Sequence, residues 1–382
     1  LDLLETIKSK ITQSNERSIS FYEYMNLALY DPTYGYYSRA KKKVGKDGDF
    51  YTSSSVGPVF GEVLGDIFAD MLQTLTPEEP LYLVEFGGGT GGLMADILEE
   101  WKRKSPGLIE RIRLVMIEKS SYHRALQEQK LRAFPVQWLD SWESLCFSAS
   151  GIRGIIYSNE LLDAFPVYIT EWTGTEWVEI RVAWNEEERR LEEVRSKLAH
   201  AELESYLGNE DIHIPKKQGF RVEINLDAGK WVEAISEGFT HGYLVTIDYG
   251  FLRPELYIPA RSNGTLMCYR QHIASDDPLV DPGEKDITTH LNFSFLIEKG
   301  EETNLNQLGY YNQSQFLING GILSKLQSHD ETDPFQGIVS KRNRTIRQLI
   351  MPGGMGETFK VLVQGKGEVN RQVLGLKQQG WV

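Results

Sequence analysis

The chain has 382 residues, 41% hydrophobic and 25% charged, enough for one large core with a sizeable insertion or for two cores, of which one elaborated domain is expected, and no apolar run approaches the roughly 20 residues needed to span a bilayer. The formal net charge of −13 disfavours a nucleic-acid partner and favours cationic ones, so neither nucleic-acid binding nor membrane insertion is expected. Cys146 and Cys268 lie in no metal-ligand spacing and the seven histidines are scattered, so neither a disulfide, a zinc site nor a catalytic metal is expected, and a reducing cytoplasm is the expected location.

Leu3, Leu4, Ile7 and Ile11 form a helical stripe in residues 1–13, and nothing in residues 1–20 has the layout of a secretory signal. Ser20 with Glu23 three residues on predicts a capping box for a second helix, which Asp31-Pro32 stops. Tyr30, Tyr34, Tyr36 and Tyr37 read as packing residues, and Lys41-Lys42-Lys43 as a solvated loop. Residues 48–55 are small and hydroxyl-rich, including Thr52 and Ser53; they read either as an irregular loop or as a lid closing over a bound ligand. A helix follows from about Phe60 to Leu72.

Residues 81–92, Leu-Tyr-Leu-Val-Glu-Phe-Gly-Gly-Gly-Thr-Gly-Gly, are the organising stretch. Leu81–Phe86 predicts a buried parallel strand, and Leu93, Met94, Ile97 and Leu98 predict a helix after it. Gly87, Gly89 and Gly91 permit positive φ and let a ligand lie on the main chain at a helix N-terminus. Spacing alone leaves a dinucleotide site open, because Gly87, Gly89 and Gly92 also satisfy G-x-G-x-x-G; a purely structural turn stays open too. Glu85 discriminates, since a carboxylate two residues before the first glycine repels a pyrophosphate and suits a ligand carrying a cationic amine. The pattern E-x-G-x-G-x-G resembles motif I of class I methyltransferases that use S-adenosylmethionine.

Arg113 to Glu118 reads as a second strand ending in an acid placed to accept both hydroxyls of a ribose. Phe134 to Leu139 reads as a third, with Asp140 and Ser141 at its end positioned for an adenine amino group. Gly154 to Ser158 is a fourth, and Asn159, Glu160 and Asp163 leave its ligand-bearing end as one amide and two carboxylates. Their bland reading is helix capping with surface acids. Residues 167–225 carry a hairpin pattern around Gly174, a charge run from Glu186 to Arg190, and another strand at Phe220 to Ile224. After a helix from about Asp227 to Gly238, Tyr243 to Gly250 is a fifth core strand that brings Asp248 and Tyr249 to the same sheet edge. His290 leads into a helix and reads as a packed histidine before it reads as a base. Helices near 313–327 and 335–350 precede a last strand, Thr358 to Gln364.

Seven stretches together, SFYEYMNLALYDPTYGYY, GKDGDFYTSSSVGPVFGE, VEFGGGTGGLMADIL, SNELLDAFPV, TIDYG, DPGEKDITTHLNF and MGETFKVLV, resemble the MidA-like S-adenosylmethionine-dependent methyltransferases, a family that includes a mitochondrial arginine methyltransferase of complex I assembly. The chain departs from the family at Gly87-Gly88-Gly89-Thr90-Gly91, where G-P-G-x-G is common, and at Thr52-Ser53-Ser54-Ser55, where T-S-P-E is frequent. The resemblance implies an α/β class I fold: a Rossmann-like, seven-stranded, mostly parallel sheet in the order 3-2-1-4-5-7-6, with an N-terminal helical region and a β-rich insertion. The implied division is 1–75, helical region and cofactor lid; 76–166, first half of the core; 167–225, insertion; and 226–382, the rest of the core with substrate-side loops. The residues themselves supply the expected cofactor, S-adenosyl-L-methionine, held by Thr52, Ser53, Glu85, Gly87, Gly89, Gly91, Glu118, Asp140, Ser141 and Asn159. Catalysis falls to Asn159, Glu160 and Asp163, with Asp248, Tyr249 and His290 on the substrate side. The implied acceptor is a protein arginine. A small-molecule methyltransferase and a non-catalytic cofactor-binding assembly factor are the alternatives.

Overall fold

The computed structural model describes residues 2–39, 57–76, 80–149, 151–209, 213–270, 273–328, 337–351 and 353–377. The chain divides into two units, one of Leu1–Phe50, Leu162–Trp231 and Gly250–Leu296, the other of Tyr51–Leu161, Val232–Tyr249 and Ile297–Val382.

The second unit is built on a sheet whose strands, in chain order, are β1 (Leu81–Phe86), β2 (Ile112–Ile117), β3 (Val136–Leu139), β4 (Ile152–Asn159), β5 (Phe239–Phe251), β6 (Leu305–Asn312) and β7 (Phe359–Lys366). Their order across the sheet is 6-7-5-4-1-2-3, the expected arrangement read from its other edge. Strands β1 to β5 are parallel, and β7 runs antiparallel to both β5 and β6. Burial on both faces explains why β1, β4 and β5 read as near-continuous apolar runs. Helices Val59–Gln73 and Gly92–Lys104 cover one face, packing Phe60, Leu64, Phe68, Met94, Ile97 and Trp101 onto Leu83, Ile155, Tyr157 and Val245. Gly61 and Gly65 let these helices approach closely, since a Cβ at Gly65 would lie 3.3 Å from Glu100 Cβ. The last two residues of β5, Gly250 and Phe251, are counted with the first unit and pair in parallel with Leu291–Asn292.

In the first unit, helices Leu3–Gln13 and Phe21–Tyr30 bury Leu3, Ile7, Ile11, Phe21 and Tyr24, and the second begins with the expected capping box of Ser20 and Glu23. An antiparallel sheet runs Ser18–Ser20, Trp177–Asn185, Tyr168–Trp172, Arg221–Ile224, with Arg190–Ser196 also paired to Trp177–Asn185. The hairpin around Gly174 is as expected. Arg190–Ser196 is a strand that the charge-rich sequence does not announce. A small sheet of Met267–Arg270, Ile273–Ser275 and Asp286–Thr288 occupies the turn-rich stretch after β5. Among the described residues no helix is long and apolar enough to cross a membrane.

Candidate cofactor and catalytic site

The turn after β1 takes the left-handed backbone that its glycines allow, with φ of +62° at Gly87, +51° at Gly89 and +77° at Gly91. Its surroundings differ from glycine to glycine. A Cβ on Gly87 would lie 2.6 Å from Leu161 Cδ1, and one on Gly88 would strike Met116 and lie 2.9 Å from the Glu85 carboxyl. At Gly89 nothing lies within 4 Å of that position. The loop therefore rests on Glu85 and Met116 and is open at Gly89, where a ligand can approach the main chain.

Glu85 is only 2% exposed, and its Oε2 has no hydrogen-bond partner. Burial pushes its carboxyl up to about 8; a hydrogen bond with Tyr157 opposes this and the Glu118 charge adds to it. A buried, mostly protonated acid with an orphaned oxygen under an open glycine cradle fits a ligand that brings its own positive charge, as the ammonium of S-adenosylmethionine does. A dinucleotide pyrophosphate would meet the opposite electrostatics.

Glu118 follows β2 directly. Its Oε1 accepts the Ser120 N–H at 2.8 Å, and its Oε2 accepts the Gln127 amide at 2.9 Å. Asp140, past β3, has its side chain 82% exposed and pairs with Arg124 at 3.3 Å. Ser141 caps the helix Trp142–Ser148, its Oγ accepting the Ser144 N–H at 3.3 Å.

Asn159 ends β4, and Glu160 after it is a non-glycine residue at φ +52°. The Glu160 N–H donates to Ile247 O on β5 at 2.9 Å, and Asn159 Nδ2 donates to Glu160 Oε1 at 3.0 Å. Asn159 Oδ1 is a second buried oxygen without a hydrogen-bond partner, on the same sheet face as Glu85 two register steps along. Asp248, fully buried, accepts the Leu161 N–H at 3.2 Å and the Tyr249 N–H at 2.8 Å. The Tyr249 ring packs on Phe359 at 4.1 Å between centroids. The fold thus gathers Glu85, the glycines, Glu118, Asn159, Glu160, Asp248 and Tyr249 at the carboxyl ends of the parallel strands, where ligands of open α/β sheets bind.

Asp163 and His290 belong to the first unit. Asp163 is buried in the turn Leu162–Ala164, and its carbonyl accepts the Thr289 N–H at 3.0 Å. His290 packs its ring 5.3 Å from Phe251, and its N–H donates to Thr265 Oγ1. Burial, aided by the Arg261 charge, lowers it to about 4, so it is a neutral imidazole at physiological pH. Thr52 and Ser53, with the rest of the expected lid, lie outside the described residues. Two residues that the sequence does not flag matter to the site: Tyr157, which meets Glu85, and Gln127, which meets Glu118 and the glycine loop. Neither falls in a motif, and Gln127 sits in a helix, Ser121–Lys130, with no apolar stripe to mark its inner face.

Residues 63–311 match a family model described as "Putative S-adenosyl-L-methionine-dependent methyltransferase". The zebrafish (Danio rerio) mitochondrial protein arginine methyltransferase NDUFAF7 is 28% identical, the alignment covering 94% of this chain and 85% of that protein. Its human counterpart is 25% identical, over 89% of this chain and 78% of its own length. A crystal structure of a methyl transferase candidate from Burkholderia thailandensis, bound to S-adenosyl-homocysteine, superposes with a TM-score of 0.85 at 29% identity, covering 98% of this chain and 94% of that one. A native crystal structure from the same organism gives 0.83 at 30% identity, covering 98% and 93%. These relatives correct the expected cytoplasmic location, because the curated ones are mitochondrial proteins by name. The physical reason is that two free thiols, Cys146 and Cys268, do not choose among compartments. With the family model spanning well over half of the sequence, the chain belongs to this family of S-adenosyl-L-methionine-dependent methyltransferases, and S-adenosyl-L-methionine is its cofactor.

Proposed function

We propose that the enzyme methylates an arginine ω-nitrogen of a partner protein, with Glu160 orienting the incoming guanidinium. The named activity of the relatives supports this reading, and one observation carries it: a carboxylate held in left-handed backbone at the ligand-bearing sheet edge. A non-glycine residue there costs about 1–3 kcal/mol and persists only where its surroundings hold it, here the Ile247 carbonyl and the Asn159 amide. When bound, the cofactor supplies an electrophilic methyl group on a sulfonium. Guanidinium stays protonated and delocalised, so its attacking nitrogen needs charge drawn to the other two. Glu160 accepts N–H bonds from those two in a fork and so draws positive charge away from the attacking nitrogen, whose proton passes to water once the methyl group is transferred.

The remaining assignments belong to the same proposal. Glu85 pairs with the cofactor's amino group, the main chain of Gly87, Gly89 and Gly91 lies along its methionine portion, and Glu118 holds the ribose. Asp140 and Ser141 flank the adenine. Asn159 aligns Glu160, while Asp248 holds Leu161 over Gly87; Tyr249 stands on the substrate side.

Glu160→Gln keeps the shape and removes the charge. Cofactor affinity should stay within a few-fold of wild type while methyl transfer to the labelled protein acceptor falls about 10²-fold or more, the scale of one preorganised electrostatic group. An acceptor Arg→Lys control identifies the nitrogen. A wild type that binds cofactor yet labels no protein, with Glu160→Gln still supporting the cellular role, would instead establish a binding scaffold.

A further inference from the structure

We propose that Gln127 is a positioning residue that sets ribose recognition by locking the Glu118 carboxylate to the glycine loop, an inference that rests on the assignment of Glu118 to the ribose. Gln127 is fully buried on the helix Ser121–Lys130. Its Nε2 donates to Gly89 O at 3.0 Å and to Glu118 Oε2 at 2.9 Å, and its Oε1 accepts from Trp138 Nε1 at 3.2 Å. The amide can sit only one way round. An indole N–H can only donate, whereas a carbonyl and a carboxylate can only accept, so a flipped amide would set donor against donor and acceptor against acceptor. One side chain thereby ties the loop after β1, the acid after β2 and a residue of β3.

The tie has two consequences for a ligand. Gln127 Nε2 and the Ser120 N–H approach different oxygens of Glu118, so together they fix the plane in which the carboxylate offers its acceptor sites. Vicinal ribose hydroxyls need two acceptors at a set spacing and tilt, and a carboxylate that rotates presents them only part of the time. The second consequence concerns the loop. Gly89 is its open glycine, and holding the Gly89 carbonyl fixes the main chain along which the ligand lies. Close approach of the helix requires Gly91 to lack a side chain, because a Cβ there would sit 3.2 Å from Gln127 Cα. Helix, loop and acid are therefore set as one piece through this residue.

The experiment is calorimetric binding of S-adenosylhomocysteine and its 2′-deoxyribose analogue to purified full-length wild type, Gln127→Met, Trp138→Phe and Glu118→Ala. Wild type should prefer the ribose ligand by about tenfold or more, the effect of one hydrogen bond to a charged group. Gln127→Met, of similar length but without donors, should bring the preference to within about threefold while weakening both ligands. A side chain that only fills space would weaken both equally and leave the ratio intact, and that result overturns the proposal. Should Gln127→Met fail to fold, Trp138→Phe still decides, since it removes the donor that anchors the amide oxygen and so loosens the amide that holds Glu118; a lowered ratio supports the proposal and an unchanged one overturns it. If wild type shows no preference, or Glu118→Ala retains it, the ribose assignment itself is wrong and the inference goes with it.

Discussion

Replacing Glu85 by Gln tests whether the buried acid of the glycine loop exists to meet a cation. In the cofactor-free protein the carboxyl titrates near 8, so at pH 7 it is about nine-tenths protonated. Pairing with an ammonium favours the charged form, so binding at pH 7 should release close to one proton. The cost of that release falls as pH approaches 8, and between pH 6 and 7 the apparent Kd should drop about ninefold, or ~1.3 kcal/mol. Across that range an α-amino group remains largely protonated, so the trend belongs to the protein. Calorimetry in buffers of different ionisation enthalpy reads the proton count directly, about 0.9 for wild type and near zero for Glu85→Gln, whose affinity should also be flat with pH. The same residue governs the stability of the free protein. Unfolded, the carboxyl titrates near 4.5; folded, near 8. Its contribution is therefore present below pH 4.5 and lost as pH rises through 8, so the melting temperature of wild type should fall between pH 6 and 9 more than that of Glu85→Gln. A variant that releases the same proton as wild type would refute the pairing.

Gly89→Val should leave a folded protein, since nothing lies within 4 Å of the added Cβ, yet lose cofactor binding by about 10²-fold or more because the branched side chain fills the approach and strains φ +51°; native-like circular dichroism with unchanged affinity would remove the loop from the site. Glu100→Gln should destabilise the core helices by about 3 kcal/mol, because Arg103, Lys104 and Lys325, at 2.6, 2.9 and 3.0 Å, lose their buried anion. Burial opposes the ionised form of Glu100, but those three cations outweigh it and hold the carboxyl down at about 2. The stabilisation is present above pH 4.5 and lost as pH falls toward 2, so urea midpoints of variant and wild type should converge over that interval. A gap that persists at pH 2 would assign the loss to packing.

What the sequence makes legible is what the backbone decides locally. β1, β4 and β5 announce themselves because both of their faces are buried, and the turn of Gly87, Gly89 and Gly91 because only glycine takes φ near +60° three times in five residues without strain. β6 does not, because Leu-Asn-Gln-Leu-Gly-Tyr-Tyr-Asn is an edge strand, half-buried and stabilised by one neighbour, β7. Arg190–Ser196 is hidden for a different reason: its charges look solvated until the fold sets Arg195 at 2.7 Å from Glu171 and Glu193 beside Arg221. Gln127 is the extreme case, one of several polar residues in a polar helix, distinguished only by three partners drawn from three separate segments. Asn159 and Glu160 fall between these cases. Their place follows from the rule that ligands gather at strand ends, but Glu160 is a residue that no local preference would turn left-handed. Its conformation is imposed by a carbonyl on β5 and an amide on β4 acting together. A local motif can therefore name the acid, whereas the direction in which that acid acts is a property of the assembled sheet.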